Sequence, residues 1–228
     1  MITKDKALDL LKSVCTVGSG RIAKSLSDML GVKAELSFPE VEFISLKGLL
    51  QKLNVGETFF IIETSLEGDV MGKLSFLLDL QDARILGSNL LKMSPAELDP
   101  QDPFFQSSLQ ETVNIFAGTF TGMLSEMSHL NIFYNVPFLT LGSKDSYLGS
   151  ISRQFSDSDI LFSMNMELKV KDIRFRGGLL FILDYNSTGK LFEALGQSEI
   201  FLWIENTKIK LGSKGRKVES IDVEYLKD

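Results

Sequence analysis

The sequence predicts a mixed α+β fold in which two long helices pack on an antiparallel β-sheet, arranged as an internal duplication with pseudo-twofold symmetry. Three observations lead there. Two segments of about 27 residues carry apolar residues at three- and four-residue spacing, the period of an amphipathic helix. Two apolar hairpins, rich in Phe, Ile and Leu, follow them at matching distances. The second half also repeats the order of the first at a fixed offset. A shift of 98 residues pairs Leu11 with Leu109, Val17 with Ile115, Gly20 with Gly118 and Pro39 with Pro137. It also pairs Leu26-Ser-Asp-Met29 with Leu124-Ser-Glu-Met127. The later hairpins match at a shift of 105, Gly72–Asp79 against Gly177–Asp184, which places seven extra residues in 138–158.

The elements follow in order. Residues 4–30 form the first long helix, with Ala7, Leu10, Leu11, Val14, Ile22, Leu26 and Leu30 on one face and Gly31 as its terminator. Val32–Phe38 alternates apolar and polar residues, and Pro39 is expected to end that strand. Val41, Phe43 and Leu46 continue in extended form, and Leu46–Leu53 reads as a short helix. Glu57–Leu66 and Gly72–Leu80 make a hairpin around Glu67-Gly-Asp69. Asp79 is placed to N-cap a helix over 80–92. Ser94–Pro103, with three prolines, reads as a linker. The second long helix covers about 104–130, with Leu109, Val113, Phe116, Phe120, Met123, Leu124 and Met127 on its apolar face. A strand follows up to Pro137. Asp159–Val170 and Ile173–Asp184 form the second hairpin around Lys171-Asp172, and Asp184 precedes a short helix, Ser187–Leu195.

The chain therefore divides into one domain over 1–195, with repeats at about 1–95 and 104–195, and an extension at 196–228. In the extension, Ile200–Leu211 and Val218–Leu226 flank Gly212-Ser-Lys-Gly215, so a β-hairpin is predicted. Its tip carries Lys208, Lys210, Lys214, Arg216 and Lys217, a solvated loop or a dock for an acidic partner. Trp203 is either a packing residue or an interface anchor.

Composition narrows the chemistry. The 228 residues are 44% hydrophobic and 24% charged, values of a folded globular chain. Lys and Arg number 24 against 30 Asp and Glu, a net charge of -6, which disfavours a nucleic-acid backbone as partner. There is one Cys and one His. One Cys makes no internal disulfide, which points to a reducing cytoplasm, and the pair is too few for a His/Cys-built zinc site. Met1–Leu11 lacks a signal-peptide apolar run, and no stretch approaches the roughly 20 apolar residues of a membrane helix. Cys15 reads as a packing residue and His129 as a cationic cap at a helix end. Val17-Gly-Ser-Gly-Arg21 lacks the Lys-Ser/Thr ending of a phosphate loop. Asp157-Ser-Asp159 reads as a turn rather than a metal site.

One constellation remains. Ser107, Glu111 and Asn114 recur at i, i+4 and i+7, so they share one helix face, away from the Val113/Phe116/Phe120 face. Pro137 follows Asn114 after 22 intervening residues. Gly118 and Gly122 continue near the stripe and are expected to admit another backbone. Taken alone, the stripe is also what a solvated helix face looks like. With no His or metal behind it, a Glu–Asn pair makes chemical sense when presented to a partner. A carboxylate can grip a cation, and a carboxamide can orient a water by donating and accepting hydrogen bonds.

The pattern [Asp/Ser]-x3-Glu-x2-Asn-x22-Pro resembles the signature of the CheC/CheX/FliY family of chemotaxis phosphatases. The words Leu109-Gln-Glu-Thr-Val-Asn-Ile115, Ala117-Gly118 and Val17-Gly-Ser-Gly20 are similar as well, and the likeness extends over roughly residues 5–195. The first repeat departs from it: Asp9-x3-Ser13-x2-Thr16-x22-Pro39 keeps the flanking Asp and Pro but replaces Glu and Asn, so this site is expected to be inactive. The resemblance implies hydrolysis of the aspartyl phosphate on a CheY-type response regulator. Glu111 would pair with a regulator lysine and Asn114 would place the attacking water. The protein would need no cofactor of its own, the Mg²⁺ being held by the regulator. A CheD-like deamidase and flagellar switch components are further candidate partners. FliM, a switch protein of similar fold, lacks both sites, so a non-catalytic regulator-binding or switch-like role is the alternative. An enzyme acting on a small phospho-metabolite is a third reading, and it requires a concave pocket beside Glu111.

Overall fold

The structure, a computed structural model, describes residues 4–44, 58–155, 160–170 and 173–196. In chain order the elements are α1 (Lys4–Leu30), β1 (Ala34–Ile44), β2 (Thr58–Gly68), β3 (Gly72–Asp79), α2 (Leu80–Leu91), a 3₁₀ turn (Pro95–Glu97) and α3 (Pro103–Ser128). Then come β4 (Ile132–Tyr134), β5 (Phe138–Ser143), α4 (Lys144–Gln154), β6 (Ile160–Val170), β7 (Ile173–Leu183) and α5 (Tyr185–Ala194). Local chemistry sets several boundaries. Asp79 accepts from the Asp82 amide at 2.8 Å and starts α2, and Asp184 accepts from the Ser187 amide at 2.7 Å and starts α5. Asp102 caps α3 through the amides of Phe104 (2.7 Å) and Phe105 (3.1 Å), with Pro103 in the first helical position, where its missing N–H costs nothing.

Among the described residues, seven strands form one antiparallel sheet in the order β1-β6-β7-β3-β2-β4, with β5 also paired to β2. The central seam is β3 against β7, from Gly72 opposite Leu183 to Leu77 opposite Gly178. On one side of this seam β1 pairs with β6, and on the other β5 pairs with β2. An early strand thus lies against a late one on both sides.

Both faces of the sheet are covered. Phe60, Ile62, Phe76, Phe162 and Phe181 point to the face that receives α1 and α3, and all are buried. The helices cross antiparallel: Arg21 pairs with Glu126, and Thr119 Oγ1 donates to Ser25 Oγ at 3.3 Å. Gly18 lies at this crossing, where a Cβ would stand 2.8 Å from the tip of the Met123 side chain. Alternate residues Phe59, Ile61, Leu77, Leu180 and Ile182 face the other way, under Tyr147, Leu148 and Ile151 of α4. The Tyr147 hydroxyl is buried with no hydrogen-bond partner among the described residues, and burial pushes its pKa up. Beside it, Lys73 Nζ meets Glu63 at 3.3 Å and Ser75 Oγ donates to the same carboxylate at 2.9 Å. Among the described residues no helix is long and apolar enough to cross a membrane.

Two expectations are corrected. Pro39 does not end a strand; β1 runs through it to Ile44. The register against β6 shifts between Ser37 and Glu40, so Pro39 falls where the ladder is interrupted and its missing N–H breaks no bond. Second, the strand expected up to Pro137 stops at Tyr134, and a further strand, β5, begins after it at Phe138; the extra residues placed within 138–158 include α4, capped by Ser143, which accepts from the Ser146 amide at 3.3 Å. The helix expected over Leu46–Leu53, the turns at Asp157-Ser-Asp159 and Lys171-Asp172, and the hairpin after 196 with its lysines and Trp203 lie outside the described residues.

Candidate functional site

Helix α3 sorts its residues by face. Leu109, Thr112, Val113, Phe116 and Phe120 are buried. The Phe116 ring anchors the helix: its centroid is 4.6 Å from Phe76, 6.1 Å from Phe120 and 6.3 Å from Phe38. That packing fixes the rotation of the helix and turns the opposite stripe outward. Ser107 and Glu111 are exposed and Asn114 is half-buried. Asn114 Nδ2 reaches Glu111 Oε2 at 3.5 Å, the outer limit of a hydrogen bond. The carboxamide therefore keeps its oxygen and a second N–H for a third party.

Pro137 is buried beside this stripe. Residues 135–137 interrupt the edge strand between β4 and β5, and they are held from two sides. Asn135 N donates to Ser65 O at 3.1 Å, Asn135 Nδ2 donates to Glu67 Oε1 at 2.6 Å, and Thr64 Oγ1 donates to Asn135 O. From the helix, Gln110 Nε2 donates to Pro137 O at 3.1 Å. Gln110 is a positioning residue that the motif did not single out. Its adjacency to Glu111 was visible, but nothing in the sequence gives its contact across 27 residues. Gly118 admits a side chain rather than the expected backbone: a Cβ there would lie 2.8 Å from the Tyr134 hydroxyl. Gly122 has nothing within 4 Å of the equivalent position.

The stripe on α1 has the same frame and a different chemistry. Asp9, Ser13 and Thr16 are exposed, as is Pro39. Ser13 Oγ donates to Asp9 O at 2.8 Å and Thr16 Oγ1 donates to Lys12 O at 2.7 Å. Both hydroxyl protons are thus turned back on the helix itself. Cys15, next to Thr16, is buried, with its Sγ 3.4 Å from Met164 Sδ. Burial pushes the thiol pKa up to about 12, so it is no nucleophile at neutral pH. His129 stands at the C-cap of α3 in the left-handed conformation, φ 57°. It thus stands at the helix end where a cap was expected.

Glu111 and Asn114 lie on a convex helix ridge. Two cavities among the described residues lie elsewhere, one lined by Val32, Lys33, Glu35 and Lys169, the other by residues of β2, β3 and the end of α4, and Glu111 lines neither. No group of three or more His, Cys, Asp or Glu among the described residues is arranged to hold a metal ion.

No family model matches the chain. A curated relative, the CheY-P phosphatase CheC of Bacillus subtilis (strain 168), is 24% identical over 204 residues, spanning 86% of this chain and 96% of that protein. Among solved structures, Thermotoga maritima FliY superposes with a TM-score of 0.71 at 16% identity, covering 87% of this chain and 100% of the other. The FliM middle domain from H. pylori superposes with a TM-score of 0.62 at 10% identity, covering 85% and 99%. At these identities the structural likenesses concern the fold alone.

Proposed function

We propose that this chain, a CheC/CheX/FliY-family protein, is a phosphatase that hydrolyses the aspartyl phosphate of a CheY-type response regulator. The observation that carries the reading is the outward-facing pair on α3, with Asn114 beside Glu111 and a braced loop at Pro137 alongside. A convex ridge suits a protein substrate whose reactive group sits in a shallow cleft of its own. The regulator supplies the phosphoryl-aspartate, a lysine and a Mg²⁺ ion, which neutralises charge on the phosphoryl oxygens.

Glu111 grips the regulator lysine and fixes the register of docking. Asn114 then enters the cleft. Its carboxamide holds one water in line with the phosphorus, accepting from it through Oδ1 and donating through Nδ2. The water oxygen bonds to phosphorus while the bond from phosphorus to the aspartyl oxygen breaks. The regulator recovers its carboxylate, and the water protons leave on inorganic phosphate. The chain contributes position rather than a titrating group, which accounts for the sparing use of His and Cys. In this reading the stripe on α1 takes no part in hydrolysis, and the 98-residue frame is a duplication of which one copy kept the site.

The test is regulator-phosphate decay with and without the protein. Asn114→Ala should lose about 100-fold or more in rate, the scale set by losing the position of a reactant. Full activity in this variant would sink the reading. FliM-like neighbours and the altered α1 stripe favour a second reading, a non-catalytic regulator-binding or switch-like protein. That reading expects binding of the phosphorylated regulator with no acceleration of its decay.

A further inference from the structure

Among the described residues, several large apolar side chains are open to solvent, Phe133 (62% exposed) and Phe138 (66%) among them, and the two most exposed are Phe104 and Val136. Phe104 is 80% exposed and Val136 is 86% exposed. Phe104 stands at i-3 from Ser107, i-7 from Glu111 and i-10 from Asn114, so it continues the same stripe toward the helix start. Val136 lies in the 135–137 loop, which Gln110 holds against the helix at 3.1 Å through Pro137 O. An apolar group therefore stands on either side of the polar pair, one along the ridge and one across it.

The positions 98 residues earlier are Lys6 and Phe38. Phe38 is partly buried and meets Phe116 edge-on at 6.3 Å, so it packs on the core. The exposed loop residue thus accompanies the intact Glu–Asn pair, while its counterpart beside the altered stripe is drawn inward. Exposed Phe is costly to leave in water without use, and an apolar rim around a polar centre is how protein interfaces are built.

We propose that Phe104 and Val136 are docking residues that flank Glu111 and Asn114 and seat the receiver domain of the regulator, setting affinity and partner choice rather than the chemical step. This rests on the phosphatase reading and names how its substrate is recognised. The occupant is a protein with apolar surface around a central cation. Glu111 places an anion between the two apolar groups, which fits a lysine standing inside an apolar rim. A convex ridge with its apolar groups at the margins matches a flat protein face and not an enclosed small molecule.

The experiment compares the full chain with Phe104→Ala and Val136→Ser, using a beryllofluoride-charged CheY-type regulator with Mg²⁺ for binding and the phosphorylated regulator for kinetics. Each substitution should weaken binding and raise KM about tenfold while kcat stays within about twofold. Asn114→Ala should instead lose kcat and keep its affinity. Unchanged affinity and KM in both apolar variants would overturn the docking proposal while leaving the phosphatase reading intact. A wild-type protein that binds the regulator without accelerating phosphate loss would overturn the phosphatase reading, and the variants' affinities would still decide the docking proposal. Self-association that either substitution abolishes, with regulator affinity unchanged, would assign these residues to a second copy of the chain and overturn it as well.

Discussion

Helices α1 and α3 lie side by side and differ most where they face solvent. Both anchor on the same sheet face with buried Leu, Val and Ile or Phe residues. Both carry polar residues at i, i+4 and i+7 on the outer stripe. On α3 those residues include a carboxylate and a carboxamide, groups long enough to reach past the helix surface. On α1 they are Ser13 and Thr16, short hydroxyls that donate to carbonyls one turn back. The strands beside them differ as well. β1 continues as one strand past Pro39 with only a register shift, whereas the matching stretch near α3 separates into two strands at 135–137 and is braced by Gln110. The proposed reaction would draw on both differences, a side chain that can leave its own helix and a fixed backbone next to it.

Several substitutions probe that contrast. The largest effect is expected from Asn114→Ala against Thr16→Ala in the phosphate-decay assay: a loss of about 100-fold or more in the first, and less than about twofold in the second. Comparable losses would mean that both stripes act. In stability the matching contrast is Phe116 against Gly18, its partner at an offset of 98. Phe116→Ala should cost about 3–5 kcal/mol in denaturant unfolding, because three rings lose their common neighbour. A cost near 1 kcal/mol would show that the rotation of α3 is set elsewhere. Converting the α1 stripe with Ser13→Glu and Thr16→Asn should leave the rate at the wild-type value, well short of a doubling, since no braced loop accompanies it. A doubled site number with doubled rate would show that the side chains alone suffice. Gln110→Ala should have a modest effect, about 1 kcal/mol for the lost hydrogen bond to Pro137 O and a several-fold rise in KM.

The regular elements were readable because each carries a strong period or cap. The amphipathic spacing of α1 and α3 and the Asp caps at 79 and 184 are local signals, and they coincide with the structure. Helix α4 was not readable. Its apolar residues Tyr147, Leu148 and Ile151 stand among Ser, Gly, Lys and Asp, so its helicity comes from packing on the sheet rather than from propensity. The course of β1 through Pro39 depends on a register shift against β6, more than 120 residues away in sequence. The Glu111–Asn114 frame was legible as spacing, but exposure was not. That Val136 points outward and Phe38 inward follows from the separated and continuous strands at which they sit, a tertiary difference with no local mark.

The sheet order has a consequence for how the chain reaches this state. Because β1 pairs with β6 across 117 to 136 residues, and β5 with β2 across about 80, neither outer pair can zip before most of the chain is present. Such contacts are far apart in sequence, so closing them costs chain entropy in advance of any reward and makes for slow, all-or-none assembly. A cut in the segment 94–102 would then release two incomplete sheets, each with its central β3 or β7 edge unpaired, and those edges complement one another. Co-expressed fragments 1–98 and 99–228 should reassemble through that seam, whereas either alone should aggregate through it.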